Sequence, residues 1–190
     1  IVINTCCFIN DAKEESVNTI LEMAEYKNEN CRKLIVTGCL AQRYKADLEA
    51  EMPEVDCFLT ISDYPKMGQI LTQVLGEKVL DGYGKNTRLV STKPWTAYLK
   101  IAEGCDNRCS YCAIPGIRGG YVSFPIEDLV AEAKQLASEG VKELVVIAQD
   151  TSRYGTDLYG RRRIWDLLTE LNAIDGLHWI RVLYLYPDEI

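Results

Sequence analysis

Three cysteines fall within eight residues of the chain, at Cys105, Cys109 and Cys112, in the spacing CxxxCxxC. Three thiolates on one tight loop can hold three corners of a 4Fe-4S cluster while the fourth iron stays open to a small molecule. Tetrahedral zinc also takes thiolates, but a closed zinc site needs two closely spaced pairs, and no second pair follows Cys112. The spacing therefore favours an open iron-sulfur cluster over structural zinc or an inert surface loop.

The composition fits an ordinary globular protein with one large or two modest domains. The 190 residues are 47% hydrophobic and carry a net charge of -7, which argues against a surface that coats nucleic acid. No apolar run reaches the roughly 18 residues of a membrane span, and no leader is visible at the start. We therefore predict a cytoplasmic protein without membrane contact, whose eight cysteines serve metal or redox chemistry rather than disulfides.

Strand-like and helix-like segments alternate along the first part of the chain. The hydrophobic pattern predicts strands at 1–5, 33–37 and 55–61, and helices at 11–26, 40–51 and 66–75. Such alternation predicts a parallel sheet covered by helices, in which ligands collect at the carboxyl ends of the strands. Cys6 and Cys39 each follow one of these strands directly, so we expect both thiols at the same edge of the sheet.

A second alternation follows a stretch without periodicity. The pattern predicts a linker at 77–94, strands at 98–102, 143–148 and 179–186, and helices at 126–139 and 164–174. No glycine-rich dinucleotide turn is present, so an α/β barrel is favoured over a nucleotide-binding sheet. The cysteine loop and Gln149-Asp150 then follow the first two barrel strands, on the catalytic face.

The predicted architecture is α/β with two domains. Residues 1–76 form a parallel-sheet domain that is incomplete at its start, and residues 95–190 form the first part of a (βα) barrel that is incomplete at its end. Ile1 begins in mid-strand and the last residues follow a strand directly. We therefore expect the chain to be a piece of a longer protein.

The segment from Gly104 to Cys112, GCDNRCSYC, resembles the radical S-adenosylmethionine signature, in which an aromatic residue precedes the third cysteine. The resemblance implies that the open iron binds the amino and carboxylate groups of S-adenosylmethionine, whose reductive cleavage yields a 5′-deoxyadenosyl radical. It also places Tyr111 against the adenine. Further contacts expected for S-adenosylmethionine come from four residues near the strand ends: Glu103, Arg118, Gln149 and Asp150. Of these, Arg118 is equally compatible with a solvated loop charge.

The first domain narrows the resemblance to one family. Asn4-Thr5-Cys6 and the segment 37–44, TGCLAQRY, are similar to the second and third cluster-cysteine motifs of the methylthiotransferase amino-terminal domain. The resemblance implies a second open 4Fe-4S cluster, for which Cys6 and Cys39 are two of three ligands and the third precedes Ile1. Cys7 stands where the family commonly has glycine, as a small buried residue or a competing ligand. Phe124 stands where many relatives have arginine, which removes a cation near the cluster face.

Three later segments distinguish the branches of this family. The segments 148–155, 157–160 and 183–187 resemble the branch that adds a methylthio group to the β-carbon of an aspartate in a small-subunit ribosomal protein. The resemblance also implies an electron donor such as flavodoxin or ferredoxin, and RNA contact through a further carboxy-terminal domain. The alternatives are a methylthiotransferase acting on tRNA adenosine, and a noncatalytic iron-sulfur redox or sensing module. With the barrel incomplete, the chain alone is expected to be inactive.

The remaining cysteines and the sole histidine carry no metal-like pattern. Cys31 and Cys57 have no ligand spacing, and reduced cysteine is among the most buried residue types, so both are predicted to be small core residues. His178 precedes a predicted strand and is interpreted as structural. No catalytic triad or zinc hydrolase is supported.

Overall fold

The computed structural model describes residues 1–79 and 88–186. The chain divides into two units, Ile1–Gly82 and Tyr83–Ile190, and each is described by itself. Residues 80–87, which belong to the predicted linker, lie outside the described residues, as do residues 187–190. None of the described helices is both long and apolar enough to cross a membrane.

The first unit is built on a three-stranded parallel sheet in the order β1-β2-β3. Its strands and helices alternate in the chain order β1 Val2–Thr5, α1 Asn10–Glu25, β2 Ile35–Gly38, α2 Cys39–Glu51, β3 Cys57–Leu59 and α3 Met67–Leu75. Single 3-10 turns at Tyr26–Asn28 and Ile61–Lys66 join these elements. The order confirms the predicted parallel arrangement.

The strands of this unit pack around the buried strand β2, and a glycine at its end allows β1 to approach closely. The central strand β2 is buried along its whole length, and Ile20 of α1 lies in the same core with no exposed surface. Gly38 ends β2 with a φ of 96°, and a Cβ there would lie 2.4 Å from the backbone oxygen of Thr5. Only glycine allows this approach, in which the end of β2, directly before Cys39, pairs with Thr5 at the end of β1.

Asp56 fastens the loop before β3 to the rest of the unit. Its carboxylate accepts hydrogen bonds from Lys27 at 2.7 Å, from Lys33 at 2.9 Å and from the backbone N–H of Leu34 at 2.8 Å. Burial opposes ionisation of Asp56, but these three donors outweigh burial and hold its pKa well below the ordinary value.

The second unit contains a parallel sheet in the order β4-β7-β8 and a two-stranded antiparallel sheet of β5 and β6. Its elements follow in the chain order β4 Thr96–Lys100, β5 Ala102–Glu103, α4 Ile114–Arg118, β6 Val122–Ser123, α5 Ile126–Ser138, β7 Glu143–Ile147, α6 Ile164–Asn172 and β8 Trp179–Val182. The parallel sheets of the two units, each alternating with helices, confirm the predicted α/β class.

Helical spacing of apolar residues explains how α5 and α6 cover this sheet. Leu129, Ala133 and Leu136 of α5 are buried on one face, and α6 buries Leu167 and Leu171 in the same way. These side chains join the buried aliphatic residues of β4 and β7 in one core. The core fixes the carboxyl ends of β4 and β7, where the predicted site residues lie.

The structure differs from the sequence-based prediction at the last strand. The pattern predicts a strand as far as Tyr186, but β8 ends at Val182, whose partner on β7 is Val146. The chain then bonds to a 3-10 turn instead, with Thr151 Oγ1 donating to the carbonyl of Leu183 at 2.6 Å. The pattern also missed β5, β6 and α4, which are too short to show a period.

Candidate metal and cofactor site

The cysteine loop starts directly after β5 and is held closely against the segment before β6. A Cβ on Gly104, whose φ is 72°, would lie 2.0 Å from the backbone oxygen of Gly120. The next residue continues this contact, since the N–H of Cys105 donates to the carbonyl of Gly119 at 3.1 Å. Glycine at 104 therefore permits the close approach that fixes the start of the loop.

The three cysteines of this loop are free thiols, and one turn at residues 110–111 separates Cys109 from Cys112. Cys105 is buried, Cys109 and Cys112 are half-buried, and the N–H of Cys112 donates to the carbonyl of Cys109 at 3.0 Å. Burial raises the pKa of Cys105, and the charges of Asp150, Cys112 and Cys109 raise it further. Within residues 1–79 and 88–186, no three Cys, His, Asp or Glu side chains are grouped at metal-binding distances. The donor set nevertheless fits a cluster, because three thiols on one loop are its usual ligands.

Asn107 connects the cysteine loop to the end of β7. Its Nδ2 donates to Asp150 Oδ2 at 2.8 Å, and its Oδ1 accepts from Arg153 Nη1 at 3.1 Å. Tyr121 adds two links, since its hydroxyl donates to the Asp150 carbonyl at 2.7 Å and its N–H donates to Asp106 Oδ1 at 3.0 Å. No sequence pattern singles out Asn107 beyond its position inside the CxxxCxxC motif.

Glu103 lies at the end of β5 with both carboxylate oxygens in use. Oε2 accepts from Lys100 Nζ and from Arg118 Nη1 at 3.4 Å, while Oε1 accepts from Gln149 Nε2 and from the N–H of Gly104, each at 3.2 Å. Burial opposes ionisation of Glu103, but the hydrogen bond and charge of Lys100 and the charge of Arg118 lower its pKa. Arg118, an expected contact of the S-adenosylmethionine carboxylate, is therefore ion-paired with Glu103 in this structure.

Two buried acceptors at the end of β7 have no donor within the described part of the protein. They are Gln149 Oε1 and Asp150 Oδ1. Asp150 is only 1% exposed, and each buried acceptor without a donor costs about 1–3 kcal/mol. Such a site suits a ligand that carries N–H donors, and the amino group of S-adenosylmethionine has this chemistry. Tyr111 is 88% exposed on the cysteine loop, so its ring face is accessible to a planar ligand.

The first unit brings Cys6, Cys7 and Cys39 to one end of its sheet. Cys6 follows β1, and its backbone N–H and carbonyl both bond to the Ser16 hydroxyl at 3.1 and 3.0 Å. Cys39 is 4% exposed at the start of α2, and Cys7 is fully buried. Burial, Cys39 and Cys6 raise the pKa of Cys7 against the opposing effect of Arg43. The thiol of Cys7 is therefore close enough to the two predicted ligands, Cys6 and Cys39, for them to affect its pKa.

The other residues singled out from the sequence have local roles. Cys31 and Cys57 are half-buried rather than buried in the core. Cys31 lies in the loop before β2, where its Sγ donates to the carbonyl of Lys33 at 3.3 Å, and Cys57 is the first residue of the edge strand β3. Phe124 packs against the core of the second unit, with Lys100 Nζ 5.9 Å from the centre of its ring. A cation therefore lies beside this position although the side chain itself is apolar. The N–H of His178 donates to the Lys142 carbonyl at 2.8 Å just before β8.

Comparison with known proteins finds two family models that match separate parts of the chain. Residues 1–60 match the uncharacterized protein family UPF0004, and residues 99–185 match the radical SAM superfamily. Proteins named ribosomal protein uS12 methylthiotransferase RimO from Acetivibrio thermocellus and Lachnoclostridium phytofermentans are 50% and 54% identical to the whole chain. The chain covers 45% of each of these relatives, so it spans about half of their length.

Solved structures support the fold assignment. Two structures of the radical S-adenosylmethionine methyltransferase TsrM from Kitasatospora setae match with a TM-score of 0.58 at 12% identity and cover 89% of this chain. The chain covers 39% of the TsrM determined with tryptophan and an S-adenosylmethionine analogue, and 40% of the TsrM with cobalamin and a [4Fe-4S] cluster. At this identity the likeness concerns the fold alone, and it agrees with the predicted partial barrel.

Proposed function

Because the chain belongs to the radical S-adenosylmethionine methylthiotransferase family, we propose that its full-length protein attaches a methylthio group to ribosomal protein uS12. In the proposed product, a methylthio group replaces one hydrogen on the β-carbon of an aspartate. The observation that carries this proposal is the 50% and 54% identity to relatives named for this activity, over every residue of the chain. Further relatives at 51% and 52% identity bear the same name.

The proposed roles in the second unit follow from the chemistry of its side chains. Cys105, Cys109 and Cys112 would hold a 4Fe-4S cluster, and Gln149 and Asp150 would accept hydrogen bonds from the amino group of S-adenosylmethionine. When bound, this pair of cofactors supplies a carbon radical that can take a hydrogen atom from an unactivated C–H bond. The residues of the chain orient S-adenosylmethionine at the ends of β5 and β7. Burial of the Asp150 carboxylate strengthens its attraction to an ammonium group.

The first unit would hold the second cluster. Cys6 and Cys39 would supply two of its thiolates. Cys7 is buried and adjacent to this pair. We assign the ligand role to Cys6 and Cys39, because these two cysteines stand in the segments that resemble the cluster-cysteine motifs. A flavodoxin or ferredoxin as electron donor, RNA contact through a further domain, and a cytoplasmic location stay predictions.

Mass spectrometry of cells with and without the gene tests the assignment of the substrate. We expect the uS12 peptide to lose one methylthio group in the deletion strain, and to regain it with the wild-type gene but not with the Cys105→Ala variant. Modified tRNA adenosine, measured in the same cells, should not change. Loss of the tRNA modification with intact uS12 would instead assign the enzyme to the tRNA-modifying branch.

A further inference from the structure

The hydrogen bonds of Glu103 leave no free acceptor position on its carboxylate. An ionised carboxylate has about four acceptor sites, and four protein donors reach this one. Two are cations, Lys100 and Arg118, and two are N–H groups, from the Gln149 amide and the Gly104 backbone. A ligand would therefore have to displace a protein donor before it could bond to Glu103.

The same carboxylate determines which way the Gln149 amide points. A carboxylate only accepts hydrogen bonds, so the NH2 group of Gln149 must face Glu103, and the distance of 3.2 Å from Nε2 to Oε1 agrees with this orientation. The amide oxygen then points away from Glu103. That oxygen is buried, and no donor reaches it within the described residues.

We propose that Glu103 is a positioning residue that locks the Gln149 amide with its oxygen towards the ligand, where it accepts an N–H from the amino group of S-adenosylmethionine. This inference rests on the proposed function, because it takes S-adenosylmethionine as the ligand. It replaces the direct contact to Glu103 that the sequence suggested. The two cations hold Glu103 in place, and Glu103 in turn selects ligands that donate a hydrogen bond to Gln149.

Substitution of Glu103 by glutamine should reverse the amide of Gln149. The new amide at position 103 turns its own oxygen towards Lys100 and Arg118, so its NH2 group faces Gln149. The Gln149 oxygen then accepts from position 103, and its NH2 group faces the ligand. An NH2 group facing an ammonium group is repulsive, so affinity for S-adenosylmethionine should fall.

The reciprocal exchange should restore the arrangement. In the double variant E103Q/Q149E, one oxygen of the carboxylate introduced at position 149 accepts from the amide introduced at position 103, and the other oxygen faces the ligand. Q149L removes the acceptor altogether. In the Q149L background, E103Q should therefore have no further effect on affinity.

The dissociation constant of S-adenosylmethionine for the full-length, anaerobically reconstituted protein tests the proposal by equilibrium dialysis. We expect E103Q to weaken binding about tenfold, the value of one hydrogen bond to a charged group. E103Q/Q149E should return within about threefold of wild type, since it regains that hydrogen bond. E127Q, the same substitution at an exposed position of α5, is the matched control and should bind like wild type.

A second measurement does not depend on the folded fraction of a variant. The wild-type protein should prefer S-adenosylmethionine over its analogue with a hydroxyl in place of the amino group, and this preference should shrink in E103Q. Unchanged affinity in E103Q, or no recovery in E103Q/Q149E, would overturn the positioning role while the wild type still binds. A wild-type protein that holds its cluster but binds no S-adenosylmethionine would overturn the proposed function and this inference together.

Discussion

Replacing Asn107 by alanine should loosen the junction between the cysteine loop and the end of β7. The side chain makes two hydrogen bonds there, to Asp150 at 2.8 Å and from Arg153 at 3.1 Å. Asp150 is 1% exposed, so its carboxylate would lose its side-chain donor without gaining water. A hydrogen bond to a charged group contributes about 1.5–3 kcal/mol, so loss of the bond to Asp150 should account for most of the cost. Loss of the bond from Arg153 should cost less, because this half-buried side chain can turn towards solvent. We expect the local free energy of unfolding to fall by about 2–3 kcal/mol.

Hydrogen exchange followed by mass spectrometry of the full-length protein measures this change locally, in peptides that cover β7. The matched control is Arg108→Ala, one residue further along the same loop, whose side chain should contribute less than about 0.5 kcal/mol. The Asp150→Ala background tests the assigned cause, because without the carboxylate the Asn107→Ala change should cost about 1 kcal/mol or less. An Asn107→Ala variant as stable as the control, or an undiminished cost in the Asp150→Ala background, would refute the reasoning.

Three further predictions concern stability. Tyr154→Phe should lower the free energy of unfolding by about 1–2 kcal/mol in urea, because the buried hydroxyl donates to the Phe124 carbonyl at 2.7 Å. Because the pKa of Asp56 is lowered, its ion pairs stabilise the first unit above about pH 4, and this stabilisation is lost as the pH falls further. Hydrogen exchange measured across this pH range should show that the free energy of unfolding falls by about 1–2 kcal/mol. The Asp56→Asn variant should show no such fall. Gly38→Ala should destabilise the first unit by about 3 kcal/mol or more in thermal unfolding, because its Cβ would lie 2.4 Å from a backbone oxygen of β1. Gly116→Ala is the control in the second unit; with open space around its Cβ, it should not lower the free energy of unfolding of that unit by more than about 0.5 kcal/mol.

Long periodic segments made the main elements of the fold predictable. The apolar spacing of α5 and the continuous aliphatic run of β7 each matched one secondary structure, and their alternation implied parallel strands. The antiparallel pair β5 and β6 could not be found in this way, because two residues show no alternation. The end of β8 is accompanied by hydrogen bonds from Thr151 to the carbonyls of Leu183 and Tyr184, which are tertiary contacts that the local pattern does not show.

The sequence offers residue types for the candidate site but not their bonding. Cysteine spacing predicts a metal-binding loop and the strand ends point to Gln149 and Asp150, and these roles stay predictions. Four donors bond to Glu103, and one of them, Gln149, lies 46 positions away in the sequence. No local pattern shows contacts over such distances. The sequence does not show that the oxygen of Gln149 is unpaired either. That oxygen is left without a donor because the NH2 group of the same amide bonds to Glu103.

The most direct test of whether the cysteine loop holds an open cluster combines two assays. One measures the iron and acid-labile sulfide content, and the other measures S-adenosylmethionine cleavage under a strong reductant. The full-length protein should form 5′-deoxyadenosine. Cys105→Ala should lose about four irons per chain and all cleavage, whereas the matched control Cys31→Ala should keep both. Stoichiometric zinc without sulfide, or unchanged iron and cleavage in Cys105→Ala, would contradict the assignment of this loop as the radical-generating site.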